Sequence, residues 1–231
     1  MRLLLIRHGE TENNVEARYT GQLNVPLSPL GILQAEAVSR YLADAHLDAI
    51  VSSDLRRARS TAEALSRHHS VTLVFDQDLR EISLGEWEGL TYTEVLQRDP
   101  ERAAGWHSGL PESLAVAPPG GETTYQFLER VLRAFDRWQN AYPDSGSTIV
   151  WVTHGGVIGI LLCHLLGMEM TRRWQFRRDN GAVTELDVGR GSSNDPGEHA
   201  HYAVLMRLND TSHLAGIDPE ETGRREIRQV L

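Results

Sequence analysis

Short apolar runs alternate with stretches of helical periodicity along most of the chain. The first four runs are apolar at nearly every position, which is typical of strands buried on both faces of a parallel sheet. Six runs predict strands: Leu3 to Ile6, Ala49 to Val51, Val71 to Phe75, Thr148 to Val152, Ala182 to Val188 and Tyr202 to Leu208.

Helices are predicted between the strands from their caps and their 3.6-residue period. Ser28 and Pro29 begin one that runs to about Ala45, and Asp54 is expected to cap the next. Other helix ends are marked by two capping boxes and one glycine: Thr91 with Glu94, Thr123 with Gln126, and Gly167. Strands that alternate with helices predict the α/β class, as a sandwich around a largely parallel sheet.

The same pattern predicts one domain over residues 1–214. A lid or cap interrupts it near residues 92–122, where Pro100 to Gly121 is rich in proline and glycine and is expected to be irregular. Gly189 to His201 is polar and predicts a mobile loop between the last two strands. Residues 215–231 form a charged tail.

Composition narrows the possible partners. Lys and Arg number 23 against 32 Asp and Glu, and the net charge of −9 opposes binding to nucleic acid. No apolar run approaches the roughly 20 residues that cross a bilayer, and the opening residues are too short for a signal peptide. Cys163 is the one cysteine, which excludes an internal disulfide and fits a reducing compartment. A soluble, cytoplasmic protein is expected.

Charged and polar side chains follow three of the predicted strands directly. Arg7, His8 and Gly9 follow the first strand, and Thr153, His154 and Gly155 follow the Thr148 strand. Ser52 and Ser53 lead from the second strand to Arg56 and Arg57. Ligands of open α/β sheets collect beyond the carboxyl ends of the strands, so these groups are expected to converge at one edge.

This set of groups suits phosphoryl transfer. A neutral imidazole has a lone pair at pH 7, so His8 can attack phosphorus. Arg7 and Arg57 can supply forked donors to the phosphate oxygens. Glu81 is the candidate acid for the leaving alkoxide, and it must be protonated to act.

At this point the chain resembles the histidine phosphatase superfamily, branch one, which is also called phosphoglycerate-mutase-like. The matching segments span nearly the whole chain: Leu5 to Thr11 with Asn14, Tyr19 to Gly21, Pro26 to Ser28, Ser52 to Ala58 with Thr61 and Ala62, Leu79 to Ile82, Gly85 to Gly89, Gly120 to Glu122, and Val152 to Gly156. The resemblance implies a three-layer α/β/α sandwich and a phosphomonoesterase of small phosphorylated metabolites that needs no metal or other cofactor.

The resemblance also implies a role for each matching residue. His8 would be the phosphorylated nucleophile and Glu81 the proton donor, and the phosphate pocket would comprise Arg7, Arg57 and His154. Four further positions match residues that line the substrate or phosphate site: Asn14, Thr20, Gly21 and Gly155.

The subfamily is indicated by length and by two late segments. Mutases of this family look longer between the tryptophan motif and the glycine-rich turn, whereas Gln97 to Pro119 is short and holds only Arg98 and Arg102. This favours hydrolysis over mutase chemistry. Trp174 to Gly181 and Leu208 to Asp210 look like the broad-specificity phosphatases, including the α-ribazole phosphatase type.

Several alternatives stay open on the sequence alone. A phosphoglycerate mutase is the nearest, and a non-catalytic phospholigand-binding module is another. Val71 to Asp78 imitates the strand and Asp-x-Asp motif of magnesium-dependent phosphatases, in which Asp76 would be the nucleophile. His199, His201 and the pair His68 and His69 are expected to be solvated, not metal ligands. The role of His213 is open, as is the oligomeric state, for which a homodimer is one alternative.

Overall fold

The predicted apolar runs pair into one mixed β-sheet. A computed structural model describes residues 1–143, 146–190 and 201–217. Within those ranges the strands are β1 (Arg2–Arg7), β2 (Ala49–Ser52), β3 (Leu73–Phe75), β4 (Thr148–Thr153), β5 (Val183–Arg190) and β6 (His201–Asp210). Their order across the sheet is β3-β2-β4-β1-β5-β6.

Helices connect the strands, and the cap predictions hold at three of the four N-termini. The helices are α1 (Glu12–Val15), α2 (Pro29–Tyr41), α3 (Arg56–Ser66), α4 (Tyr92–Arg98), α5 (Pro100–His107), α6 (Thr124–Ala141) and α7 (Gly155–Leu165). The Ser28 side chain accepts from the Gly31 N–H, and both capping boxes form, at Thr91 and Thr123. Each such cap contributes about 1 kcal/mol to helix stability.

The sheet brings three strand ends together at one edge. Strands β1, β4, β2 and β3 run parallel, while β5 and β6 are antiparallel additions beyond β1. Arg7 is in register with Thr153, and Ser52 is in register with Val152. The residues that follow these strands therefore emerge side by side, as expected for a largely parallel sheet.

Two apolar cores lie on opposite faces of the sheet, because alternate strand residues point to opposite faces. Leu4 and Ile6 pack with Val38 of α2 and with Ala58 and Ala62 of α3. Leu3 and Leu5 pack on the other face with residues of α6 and α7. Full burial of each such leucine contributes about 1.5–3 kcal/mol. The three-layer α/β/α sandwich is thus confirmed.

Three local predictions were wrong. Helix α2 ends at Tyr41 and not near Ala45, because Leu42 already leaves the helical conformation with φ −100° and ψ 4°. Helix α3 has Leu55 at its N-cap with no side-chain cap, since the Asp54 carboxylate pairs instead with the Arg80 guanidinium. The sequence at Pro100 resembled a loop, but this proline occupies the first turn of α5, where its missing N–H costs nothing.

The segment predicted to be a lid is therefore more ordered than its composition indicated. Helices α4 and α5 are followed by a 3₁₀ turn at Pro111–Ala115, and Trp106 is buried against Trp87 with ring centroids 6.0 Å apart. The predicted mobile loop overlaps the ends of β5 and β6, and its residues 191–200 lie outside the described part of the chain, as do residues 218–231 of the tail. Across the described residues, no helix is long and apolar enough to span a membrane.

Candidate active site

His8 is fixed in one tautomer at the end of β1. Its side chain is buried, and Nδ1 lies 2.7 Å from the carbonyl oxygen of Gly9. A carbonyl oxygen only accepts, so Nδ1 carries the hydrogen and Nε2 carries the lone pair. The Arg57 Nε donates to this Nε2 at 3.1 Å. The nitrogen of His8 that carries the lone pair thus faces a guanidinium.

Burial keeps His8 neutral. It lowers the pKa of the imidazole well below 6.5, and the positive charges of Arg57 and Arg7 lower it further. A neutral imidazole at physiological pH retains the lone pair that an attack on phosphorus requires.

The guanidinium of Arg57 is locked in place by backbone oxygens. Its Nη1 donates to the Leu23 carbonyl and its Nη2 to the Gly21 carbonyl, each at 2.8 Å. Burial lowers the pKa of Arg57 to about 10, so the side chain remains charged at neutral pH. Its neighbour Arg56, which the sequence analysis placed beside it, is exposed at the surface.

Arg7 presents an unused donor to the site. Its Nη1 donates to the Arg178 carbonyl, but its Nε is sealed from solvent and has no hydrogen-bond partner in the described part of the chain. That Nε lies 3.6 Å from the place a Cβ would take on Gly155. A buried N–H without a partner costs about 1–3 kcal/mol, so this arrangement favours an anion beside Gly155.

His154 lies beside His8, with ring centroids 5.1 Å apart and an angle of 60° between the ring planes. Its Nε2 is 2.8 Å from the Ser53 hydroxyl, and its buried Nδ1 has no partner among the residues described. Burial lowers its pKa well below 6.5, and the nearby Arg57 lowers it further. The two histidines and the two arginines meet at the predicted sheet edge.

Glu81 is held by backbone N–H groups at the same edge. Its Oε2 accepts from Gly156 at 3.0 Å and its Oε1 from Ile82 at 2.9 Å. Arg130 also holds the backbone at Glu81 in place, because its Nη2 donates to the Glu81 carbonyl at 2.8 Å. A Cβ on Gly156 would lie 2.1 Å from the Glu81 Oε1, so any larger residue here would displace the carboxylate from this position.

The four predicted lining residues play different parts in this geometry. The Asn14 Oδ1 accepts from the Thr11 N–H, as part of the α1 cap, and from Asn180 at 3.3 Å. Gly21 orients Arg57 through its carbonyl and has a φ of +49°. Thr20 makes a long 3.4 Å bond to Arg18, while Gly155 leaves open the space next to the Arg7 Nε.

Sequence reasoning missed several residues that complete the site. Asn180 donates to the His8 carbonyl at 3.0 Å and so joins His8 to Asn14. Gln22 donates to the Glu81 carbonyl, and Arg178 donates to the Gly155 carbonyl at 2.9 Å. Arg178 and Asn180 lie in the segment Trp174 to Gly181, whose resemblance to the phosphatases was noted without a role for either residue. Ser53 was already expected at this edge, since it directly follows β2.

Both carboxylate oxygens of Asp76 accept hydrogen bonds from neighbouring parts of the fold. Its Oδ2 accepts from Arg137 at 2.6 Å and from the Trp138 indole at 2.8 Å, and its Oδ1 accepts from the Asp78 N–H. These bonds occupy the oxygens that an aspartate nucleophile would need. The described residues contain no group of three His, Cys, Asp or Glu side chains placed to hold a metal ion.

The two buried histidines predict how stability depends on pH. Because their pKa values are lowered in the folded state, unfolding takes up protons once the pH falls below about 6.5. Stability should therefore be complete above pH 6.5 and should fall as the solution becomes more acidic. Between pH 6.5 and 5 the expected loss is up to about 2 kcal/mol for each histidine.

Urea unfolding from pH 5 to 8 measures this effect. His154→Asn should be less stable at neutral pH. Below pH 6.5 its free energy of unfolding should also change less steeply with pH, because one proton fewer is taken up on unfolding. A variant with the wild-type slope would contradict the assignment of that proton to His154.

Fold and site together define an α/β protein in which two neutral histidines and two charged arginines form a candidate binding site for an anion. The sequence profile of the histidine phosphatase superfamily (branch 1) matches residues 3–194. This chain belongs to that superfamily.

Individual relatives agree with this assignment. The chain is 41% identical over 215 residues to the "Bifunctional protein Rv2228c" of Mycobacterium tuberculosis, covering 92% of this chain and 55% of that protein. It is 31% identical over 224 residues to the "Adenosylcobalamin/alpha-ribazole phosphatase" of Escherichia coli, covering 94% and 99% of the two chains. The chain thus spans about half of the first relative and nearly all of the second.

A solved structure has the same fold. The mycobacterial glucosyl-3-phosphoglycerate phosphatase Rv2419c, in complex with VO3, superposes with a TM-score of 0.77 at 30% identity. The superposition covers 91% of this chain and 99% of that one.

Proposed function

We propose that this protein is a phosphatase that hydrolyses small phosphate monoesters through a phosphohistidine on His8. The observation that carries the proposal is the fixed tautomer of His8, whose Nε2 lone pair points to the Arg57 guanidinium. A dianionic phosphoryl group held by Arg57 would place its phosphorus next to that lone pair. The two named phosphatase relatives support the same activity.

The chemistry takes two steps. The His8 Nε2 forms a bond to phosphorus while the bond to the ester oxygen breaks, and Glu81 gives its proton to the leaving oxygen. Water then attacks the phosphohistidine, Glu81 takes the proton from that water, and His8 is restored. Arg7, Arg57 and His154 stabilise the charge on the three equatorial oxygens throughout.

The four predicted lining residues contact the substrate or position the groups that do. We assign Asn14 and Thr20 to contacts with the substrate, and Gly155 to the close approach of a phosphate oxygen to the Arg7 Nε. Gly21 acts through Arg57, which its carbonyl orients.

Hydrolysis is favoured over mutase chemistry by the state of the lid arginines. Arg98 pairs with Glu86, and Arg102 pairs with Asp99. Both arginines are thus neutralised by carboxylates and are poorly placed to hold a second phosphate. The free, buried Cys163 supports a reducing compartment such as the cytoplasm.

The direct test is hydrolysis of 4-nitrophenyl phosphate with excess EDTA present. We expect turnover to persist, because His8 and the arginines need no metal. A panel of 3-phosphoglycerate, phosphoserine and α-ribazole phosphate then ranks the substrates. Loss of all turnover on chelation, with recovery on added Mg²⁺, would refute the histidine mechanism and return the reaction to Asp76.

A further inference from the structure

Glu88 joins two segments of the candidate site. It directly follows the 3₁₀ turn at Gly85–Trp87, and the residue is half-buried. The Glu88 Oε1 accepts from the Gln22 N–H at 2.8 Å and from the Leu84 N–H at 3.0 Å. One carboxylate oxygen therefore ties together two segments that are far apart in the chain.

The first segment connects Glu88 to Arg57 through a single peptide group. The C=O of Gly21 and the N–H of Gln22 belong to the same planar peptide, so their orientations change together. Glu88 accepts from that N–H, and the Arg57 Nη2 donates to that C=O at 2.8 Å. The carboxylate, the peptide and the guanidinium thus form a continuous chain of hydrogen bonds, in which each bond polarises the next.

Gln22 also connects Glu88 to Glu81. The Gln22 Nε2 donates to the Glu81 carbonyl at 3.1 Å. That carbonyl shares a peptide with the Ile82 N–H, which donates to the Glu81 Oε1 at 2.9 Å. A rotation of this peptide would therefore move the carboxylate of the proposed proton donor. Leu84, the other residue that Glu88 binds, lies on the same short segment.

Gly21 leaves the space that the Glu88 carboxylate occupies. A Cβ on Gly21 would lie 2.2 Å from the Glu88 Oε1, and its φ of +49° is one that other residues rarely adopt. The close approach of the carboxylate to the peptide that binds Arg57 thus depends on glycine at this position.

Backbone pairing holds the same part of the chain together independently of the Glu88 side chain. The Tyr19 N–H donates to the Leu90 carbonyl at 2.8 Å, and the Gly89 N–H donates to the Tyr19 carbonyl at 2.7 Å. The paired segments should therefore stay in place when the carboxylate is altered. The carboxylate adds the orientation of the peptides that lie beyond this pairing.

Resting on the proposed phosphatase function, we infer that Glu88 is a positioning residue that orients both the Arg57 guanidinium and the Glu81 carboxylate. Gln22 transmits the effect, through its backbone N–H to Arg57 and through its side chain to Glu81. Moving the Glu88 oxygen should therefore misplace the phosphate donor and the proton donor together. A misplacement of about 1 Å can cost about 10²-fold in rate.

Two variants separate the reach of the Glu88 side chain from its charge. Glu88→Asp keeps the charge but withdraws the oxygen by one methylene, whereas Glu88→Gln keeps an oxygen at the full reach without the charge. The measured quantity is kcat/KM for glycerol 3-phosphate and for 4-nitrophenyl phosphate. Glu88→Asp should lose about 100-fold on the alkyl ester and about tenfold on the aryl ester, because only the alkyl ester needs the proton from Glu81. Glu88→Gln should keep the native ratio of the two.

Vanadate inhibition reports on Arg57 separately. Vanadate takes the place of phosphate, so its inhibition constant depends on the guanidinium and not on the proton given to a leaving group. Glu88→Asp should raise this constant by about tenfold. Gln22→Met keeps the backbone N–H but removes the bond to the Glu81 carbonyl, so it should lower the alkyl-to-aryl ratio and leave the constant unchanged. The Arg130 bond to the same carbonyl remains and should limit that loss.

A double variant and a matched control make the test specific. In a Glu81→Gln background no proton donor is left to misplace, so Glu88→Asp should no longer lower the alkyl-to-aryl ratio. Glu86→Asp makes the same change at an exposed glutamate of the adjoining turn, and it should keep the native ratio and the native inhibition constant.

A purely structural role would lower both esters alike in Glu88→Asp and leave their ratio unchanged, which would overturn the inference. An equal fall of the ratio in Glu88→Gln and Glu88→Asp would also overturn it, as would a fall that persists in the Glu81→Gln background. If Glu88→Asp does not fold, Gln22→Met decides, and a native ratio in that variant would refute the connection to Glu81.

Failure of the proposed function would be seen separately, as a native protein that hydrolyses no ester. Calorimetry with inorganic phosphate then decides the role of Glu88. Weaker binding by Glu88→Asp than by Glu88→Gln would uphold it, and equal affinities, or no binding by the native protein, would overturn it.

Discussion

His8→Ala should abolish phosphatase activity, with a fall in kcat/KM of about 10⁴-fold or more. The change removes the nitrogen that forms the bond to phosphorus, and His154, the other histidine described at this edge of the sheet, is not placed to replace it. The Nε2 of His154 is next to the Ser53 hydroxyl, and the centroid of its ring lies 5.1 Å from that of His8. The measurement is steady-state hydrolysis of 4-nitrophenyl phosphate.

Trapping the intermediate makes this experiment more specific. Native protein mixed with a ³²P-labelled ester and quenched in alkali, where phosphohistidine survives, should carry label, whereas His8→Ala should carry none. His46→Ala is the matched control, because the His46 side chain is 85% exposed and lies away from the sheet edge. Label that persists in His8→Ala, or full activity of that variant, would remove His8 from the mechanism.

Glu81→Gln should have the second largest effect, which should depend on the leaving group. General acid catalysis contributes about 10²–10⁴-fold. Alkyl esters need a proton on the departing oxygen and should lose the full amount in kcat, but 4-nitrophenolate leaves readily without one. The fall should therefore be much smaller for 4-nitrophenyl phosphate than for an alkyl phosphate such as glycerol 3-phosphate.

Two further variants check that the effect belongs to the position of Glu81. Gly156→Ala should act in the same direction, because its Cβ would displace the carboxylate that the Gly156 N–H now holds. Glu86→Gln, at an exposed glutamate on the nearby turn, should leave both esters unaffected. An equal loss of activity on the alkyl and aryl esters in Glu81→Gln would contradict proton donation.

Much of the fold could be predicted because its signals are local. Uniform apolar runs fixed β1 and β4 as buried strands, and Thr123 with Gln126 fixed the start of α6, since a cap depends on residues three apart. Predictions failed where a distant partner competed for a local group. Asp54 has the residue type of an N-cap, but Arg80 lies 26 residues further along the chain and takes its carboxylate.

The convergence of the candidate site residues at one edge of the sheet was also largely predictable. His8, His154 and Arg57 follow strands that are neighbours in a parallel sheet, so alternation of strands and helices is enough to bring them to one edge. Glu81 follows no strand directly, and its place depends on the Gly156 N–H at the start of α7.

By itself, the sequence determined the α/β class, the edge of the sheet at which the candidate site lies and the residue types that gather there. Tertiary structure alone decided which donors are left unpaired. Arg56 and Arg57 are adjacent in sequence, yet only Arg57 is enclosed. Arg178 packs against the first turns of α7 because Gly159, on another element, leaves room for it. Burial and pairing depend on contacts between residues far apart in the chain, and hydrophobic periodicity does not indicate which residues make those contacts.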